Sequence, residues 1–183
     1  LRDNQRQRVY DAEGAAFLGI KRASQTKDNN HRVVAWGNAT PEYYSNLDPL
    51  PEDISNERVQ KLIDKVFGSK YVKRKWEQKQ HIFPLVKTAR SDATRGCADY
   101  AAGTIVLPML KYHRRQSYII HECAHFITNH YYGSDIAAHG WQFCDIYLDL
   151  VRHFMGKEAY EALKSEFQFE GVRYRTTYSN SHS

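Results

Sequence analysis

Residues 118–127 read Tyr118-Ile119-Ile120-His121-Glu122-Cys123-Ala124-His125-Phe126-Ile127, and this stretch decides how the chain is organised. Apolar side chains before and after an H-E-x-x-H place the motif on a buried helix. Residues four apart share a helix face, so the spacing predicts that both imidazoles close on one metal ion. Glu122 then projects from the adjacent edge, close enough to hold a water at the metal without being a ligand itself. This arrangement predicts the core of a zinc hydrolase.

Two histidines leave a catalytic zinc site one protein ligand short. The metzincin extension is absent, because Thr128 stands where a glycine is needed and Tyr131 where a third histidine would follow. His130 lies about 140° around the helix from His125 and cannot join the same ion without unwinding. Glu158 opens a predicted last helix, where an acid also serves the helix dipole. Asp145 and Asp149 have ordinary helix-surface roles open to them. His139 is the best placed of these candidates. It follows a break at Gly133 and Ser134 and opens the next helix, with Gly140 permitting close backbone approach and Phe143 anchoring that face in the core.

Working outward, Asp3 can cap a helix running to about Leu18, with Val9, Ala12, Ala16 and Phe17 on one buried face. Residues 21–53 read as irregular structure in which Val33-Val34-Ala35-Trp36 is the strand-like stretch, and this segment is a candidate lid. A second helix starts at Asp53 or Ser55 and buries Val59, Leu62, Ile63, Val66 and Phe67. Strands are expected at His81–Lys87, where Pro84 favours an edge or bulge, and in a hairpin of Cys97–Ala101 and Thr104–Leu107 turning at Ala102-Gly103. A basic turn (His113, Arg114, Arg115) leads into the H-E-x-x-H helix at 116–130. Helices from Ala138 or His139 and from Lys157 to Phe167 close the chain. The order predicts one α+β domain with a small mixed or antiparallel sheet: a helical and irregular part at 1–80, a core at 81–170 and a polar tail at 171–183.

A chain of 183 residues with 42% apolar content is long enough for a full core. No apolar stretch approaches a membrane span, and the first thirty residues are too polar for a signal peptide. Cys97, Cys123 and Cys144 form no C-x-x-C pair, which argues against a zinc ribbon and predicts a reducing, cytoplasmic setting. Residues 1–90 carry 17 Lys+Arg against 11 Asp+Glu, and residues 91–183 carry 9 against 10, so the excess positive charge lies upstream of the motif. Its densest part is Lys70, Lys73, Arg74, Lys75 and Lys79, with Tyr71 and Trp76 interleaved. Such a run is usually a solvated surface, but it also offers phosphate contacts and base stacking to a nucleic-acid partner.

His121-Glu122-Cys123-Ala124-His125 followed by His139-Gly140-Trp141-Gln142-Phe143 resembles the signature of the SprT-like zinc metalloproteases, H-E-x-x-H and then H-G-x-x-F. Arg2-Asp3 through Glu13 and the lead-in Val106-Leu107-Pro108 are similar to a group of metallohydrolases from actinobacteria and their phages, a resemblance covering most of the chain. It implies a zincin-like fold, Zn²⁺ as cofactor, His121, His125 and His139 as ligands, Glu122 as general base and a peptide or protein substrate. Thr104, Ile105, Val106 and Leu107 then resemble the zincin edge strand that aligns the substrate, against the alternative of an edge covered by the chain's own loops. Asp135, Asp145 and Asp149 are candidates to orient the ligands, and Tyr112, His113, Tyr131 and Tyr132 are neighbours in sequence to a developing oxyanion. The chain departs from the pattern at Trp141, where proline is usual, and carries no cysteine-rich ribbon. Two other readings stay open: a nucleic-acid-associated protein acting on DNA-bound proteins, and a catalytically silent zinc-binding domain.

Overall fold

A helix buried on every face belongs at the centre of a domain, and Gln116–Tyr132 (α4) is that helix, with every residue from Ile119 to Thr128 buried. The computed structural model describes residues 3–18, 26–27, 33–35, 47–76 and 83–175. In chain order these form α1 (Arg6–Leu18), β1 (Thr26–Lys27), β2 (Val33–Ala35), α2 (Asn56–Gly68), α3 (Lys70–Lys75), β3 (Leu85–Thr88), β4 (Cys97–Asp99) and β5 (Thr104–Leu107). A 3₁₀ turn (Lys111–Arg114), α4, α5 (Trp141–Phe154) and α6 (Lys157–Glu170) follow. The fold is α+β, as expected. α1 packs on α6, α6 on α5 and α5 on α4, while α2 and β4 also pack against α4 and β3 lies against α2. Much of the expected lid at 21–53 lies outside the described residues, as do His81, Ile82 and the tail beyond Arg175.

Most helices begin and end where their chemistry predicts. Ser55 caps α2 by accepting from the Arg58 backbone N–H at 3.2 Å, and Val59, Ile63, Val66 and Phe67 form its buried stripe. Ser69 then caps α3 through the Val72 N–H at 3.1 Å, so the basic stretch is a short helix. α4 stops at Gly133, whose φ of +83° suits glycine. α5 starts at Trp141, later than the sequence suggested, so His139 sits in the turn ahead of it.

The three-stranded sheet has the order β3-β5-β4, with β5 parallel to β3 and antiparallel to β4. The hairpin of β4 and β5 is therefore present. The expectation that Thr104, Ile105, Val106 and Leu107 form an edge strand is not met: β3 occupies the other side of β5 along its whole length. β3 is itself covered at one point, because the Gln60 side chain accepts from the Val86 N–H at 2.8 Å and donates to Pro84 O at 3.0 Å. Among the described strands, β4 keeps an edge without a backbone partner, and it packs beside α4.

The basic turn is buried. Arg114 is fully buried; its guanidinium donates to Pro108 O at 3.0 Å, Ile54 O at 2.7 Å, Asn56 Oδ1 at 2.8 Å and Leu107 O at 3.3 Å. It thus ties the end of β5 to the start of α2. Arg115 is equally buried and lies against Asp48, donating from Nη2 to the Asp48 carbonyl. The Asp48 carboxylate accepts from the backbone N–H groups of Gln116 at 3.2 Å and Ser117 at 3.0 Å, placing negative charge at the α4 N-terminus where the helix dipole favours it. Among the described residues, no helix is long and apolar enough to cross a membrane.

Replacing Arg114 by Met removes its hydrogen bonds to Pro108 O, Leu107 O, Ile54 O and Asn56 Oδ1, the first two of them buried, so the Arg114→Met variant is expected to lose about 2–4 kcal/mol of stability. Urea denaturation measures this; a change below about 0.5 kcal/mol, the range of an ordinary surface substitution, would remove Arg114 as a structural tie.

Candidate metal centre

α4 puts His121 and His125 one turn apart on the same face, as the 3.6-residue period requires. Their Nε2 atoms lie 3.0 Å apart. The turn before α5 brings His139 to the same point, its Nε2 3.4 Å from that of His121. All three side chains are buried, and one nitrogen from each lies within 4.8 Å of the others. The turn is tight: Gly140 N–H bonds to Ala137 O at 2.9 Å, and a Cβ on Gly140 would stand 3.1 Å from that oxygen. Phe143 lies against the imidazoles, stacked on His125 at 4.3 Å and edge-on to His121 and His139 at 4.9 and 5.0 Å. The three histidines singled out in the sequence are brought together, and His130 and Glu158 are not part of the cluster.

The carboxylates behind the histidines come from elsewhere than expected. His121 Nδ1 bonds to Glu13 Oε1, and His139 Nδ1 bonds to Asp3 Oδ2 at 2.7 Å. Both acids belong to α1 or the residues leading into it. Asp3 is thus engaged with His139 rather than capping its helix. Asp145 accepts from the Arg175 backbone, Asp149 holds Tyr71 Oη at 2.5 Å and Lys75 Nζ at 2.6 Å, and Asp135 is exposed. A signal for the true partners exists in the sequence: Asp3, Arg6, Tyr10 and Glu13 recur at intervals of three and four, a polar stripe beside the buried Val9, Ala12 and Ala16. Tyr10 completes that stripe, stacked on His121 at 5.8 Å and edge-on to His139 at 5.2 Å.

Burial dominates the electrostatics. It pushes the Glu122 carboxyl up to about 7, and Glu122 Oε2 is buried with no hydrogen-bond partner. Burial, reinforced by the neighbouring histidines, holds His125 well below the usual imidazole range. Burial and the nearby His121 likewise keep His139 below it. Burial lowers His121 too, but the Glu13 carboxylate outweighs it and leaves that imidazole above its ordinary value. Three imidazole nitrogens converging on one point, beside an unpartnered carboxylate oxygen, form a donor set that fits zinc once the ring protons facing that point are lost.

Other neighbours named from the sequence fall away from this point. Tyr131 and Tyr132 are exposed and pack edge-on to each other, with Tyr132 also against Trp141. Tyr112 and His113 pack against Tyr118, which in turn stacks on His121 at 6.2 Å. In the basic stretch, Lys70 and Arg74 are exposed and Lys73 half-buried. Lys75 is paired with Asp149, Trp76 is buried, and Tyr71 stacks on His153 at 4.0 Å. Lys79 lies outside the described residues.

Metal must displace protons from these imidazoles. Because His121 holds its proton more tightly than a free imidazole, the affinity of this cluster for a divalent metal is expected to fall as pH is lowered, with the loss beginning above the usual histidine value of about 6.5. Competition titrations at several pH values check this, and a pH-independent affinity would contradict it. Compared with family models, curated proteins and solved structures, the chain matches none of them.

Proposed function

We propose that the chain is a zinc-dependent metallohydrolase, most simply a zincin-type, SprT-like metallopeptidase. One observation carries this reading: three buried imidazole nitrogens converge beside a buried glutamate whose Oε2 has no partner. His121, His125 and His139 would hold Zn²⁺. When bound there, the ion supplies Lewis-acid chemistry, lowering the pKa of water toward about 7 and polarising a carbonyl.

The protein's own part in the reaction falls to Glu122. Its carboxyl, raised by burial and unpartnered at Oε2, is placed to carry the proton in both halves of the reaction. It takes the proton from the attacking water on Oε2 and returns it to the leaving amine. A purely structural metal site needs no such group, and usually closes its fourth position with another protein ligand. Cys97, the free thiol nearest the motif outside α4 and α5, is not among the clustered ligands.

Substrate alignment falls to β4. Since β5 is paired on both sides, an extended peptide would add to the β4 edge, which lies along α4 with Cys97 and the following Tyr100 within the electrostatic reach of Glu122. Strand addition reads backbone more than side chain, which suits a protein substrate. The nucleic-acid reading gains no comparable support, because the aromatics interleaved with its basic residues are packed into the fold.

The test compares zinc content and peptidase activity of the wild type with His139→Ala and Glu122→Gln. His139→Ala is expected to lose zinc, and Glu122→Gln to keep it while losing roughly 10²–10⁴-fold in turnover. Full zinc occupancy in His139→Ala would overturn the ligand set; undiminished turnover in Glu122→Gln would overturn the general base.

A further inference from the structure

The three histidines come from the second half of the chain, yet two of them are held from its first thirteen residues. Glu13 sits on Nδ1 of His121 and Asp3 on Nδ1 of His139. The same segment reaches the backbone of His139: Gln5 Nε2 donates to His139 O at 2.8 Å and to Arg173 O at 3.2 Å, while Gln5 Oε1 accepts from Arg173 N–H at 2.7 Å. Gln5 is buried, and the remainder of α1 docks through Val9, Ala12, Ala16 and Phe17 against α6. His125 has no carboxylate partner among the described residues and is held by Phe143 instead.

We propose that α1 sets the metal affinity of the site, with Asp3 and Glu13 as positioning residues, and that metal binding in turn locks α1 onto the domain. This inference rests on the metal-site reading above and goes beyond it by coupling that site to a distant element. A carboxylate accepting from Nδ1–H fixes the tautomer whose Nε2 lone pair faces the ion, and it makes that nitrogen a stronger donor. Both effects vanish for His121 and His139 when α1 undocks. Linkage is reciprocal, so whatever factor the docked helix adds to metal affinity, the metal adds to helix docking. The N-terminal helix is therefore part of the metal centre rather than a cover laid over it.

The experiment uses the full chain and Zn²⁺ competed against a chromophoric chelator, with wild type, Glu13→Gln, Asp3→Asn and the double variant. Asp11→Asn is the control, since it removes a charge from the same helix where the partner is Gln7 at 2.9 Å. Each of the two positioning substitutions is expected to weaken zinc binding about 10–100-fold, with the control unchanged. Hydrogen exchange of α1 amides is expected to slow on zinc addition in the wild type and to lose that response in the double variant. Wild-type affinity in both single variants, an equal loss in Asp11→Asn, or α1 exchange indifferent to zinc in the wild type would overturn the proposal. Should one variant fail to fold, the other and the wild-type exchange measurement still decide. Zinc binding without peptidase activity would overturn the enzyme reading and leave this coupling intact, whereas a wild type that binds no zinc would overturn both.

Discussion

The structure depends on keeping three imidazoles and three carboxylates together in a nearly dry interior. Polar groups buried without partners cost several kcal/mol each, and ionised ones more, so a protein tolerates such a cluster only if the charges answer one another. Glu13 and Asp3 answer the Nδ1 side of two rings. On the other side the Nε2 atoms face one another at 3.0 and 3.4 Å, where a ring proton on His121 could serve only one of the two contacts. A dication at that point would satisfy all three at once and would offset Glu122, which burial otherwise drives toward its neutral form.

The rest of the fold serves that cluster. α4 is buried on all sides, so its motif residues cannot escape into water by a simple rotation of side chains. Asp48 fixes its N-terminus, and Arg114 binds the strand that feeds it to the start of α2. The Ala137–Gly140 turn then folds His139 back over α4, with Phe143 one turn into α5 as the common apolar wall. Packing in this region sets ring orientation as well as contributing stability, since Phe143 touches every imidazole.

The parts legible in the sequence were those governed by local periodicity. Positions i and i+4 of a helix need no tertiary information to be placed on one face, which is why His121, Glu122 and His125 were evident, and a helix break followed by His139-Gly140 suggested a returning chain. What depended on distant partners was hidden. Strand Thr104–Leu107 reads the same whether one or both sides are paired, and only the parallel return of Leu85–Thr88 makes it central. Arg114 and Arg115 look like a surface turn because burial of a guanidinium requires carbonyls and a carboxylate from residues 48–56 and 107–108, which no local pattern announces. Asp3 reads as a helix cap, and the stripe from Asp3 to Glu13 names no partner, for the same reason: their partners lie 136 and 108 residues away.

Zinc K-edge X-ray absorption on the zinc-loaded protein tests the central claim most directly, because it reads the ligand atoms themselves. Three imidazole nitrogens at about 2.0–2.1 Å and one further light ligand, with no sulfur, are expected. A sulfur shell near 2.3 Å, or fewer than three imidazoles around the ion, would contradict that claim.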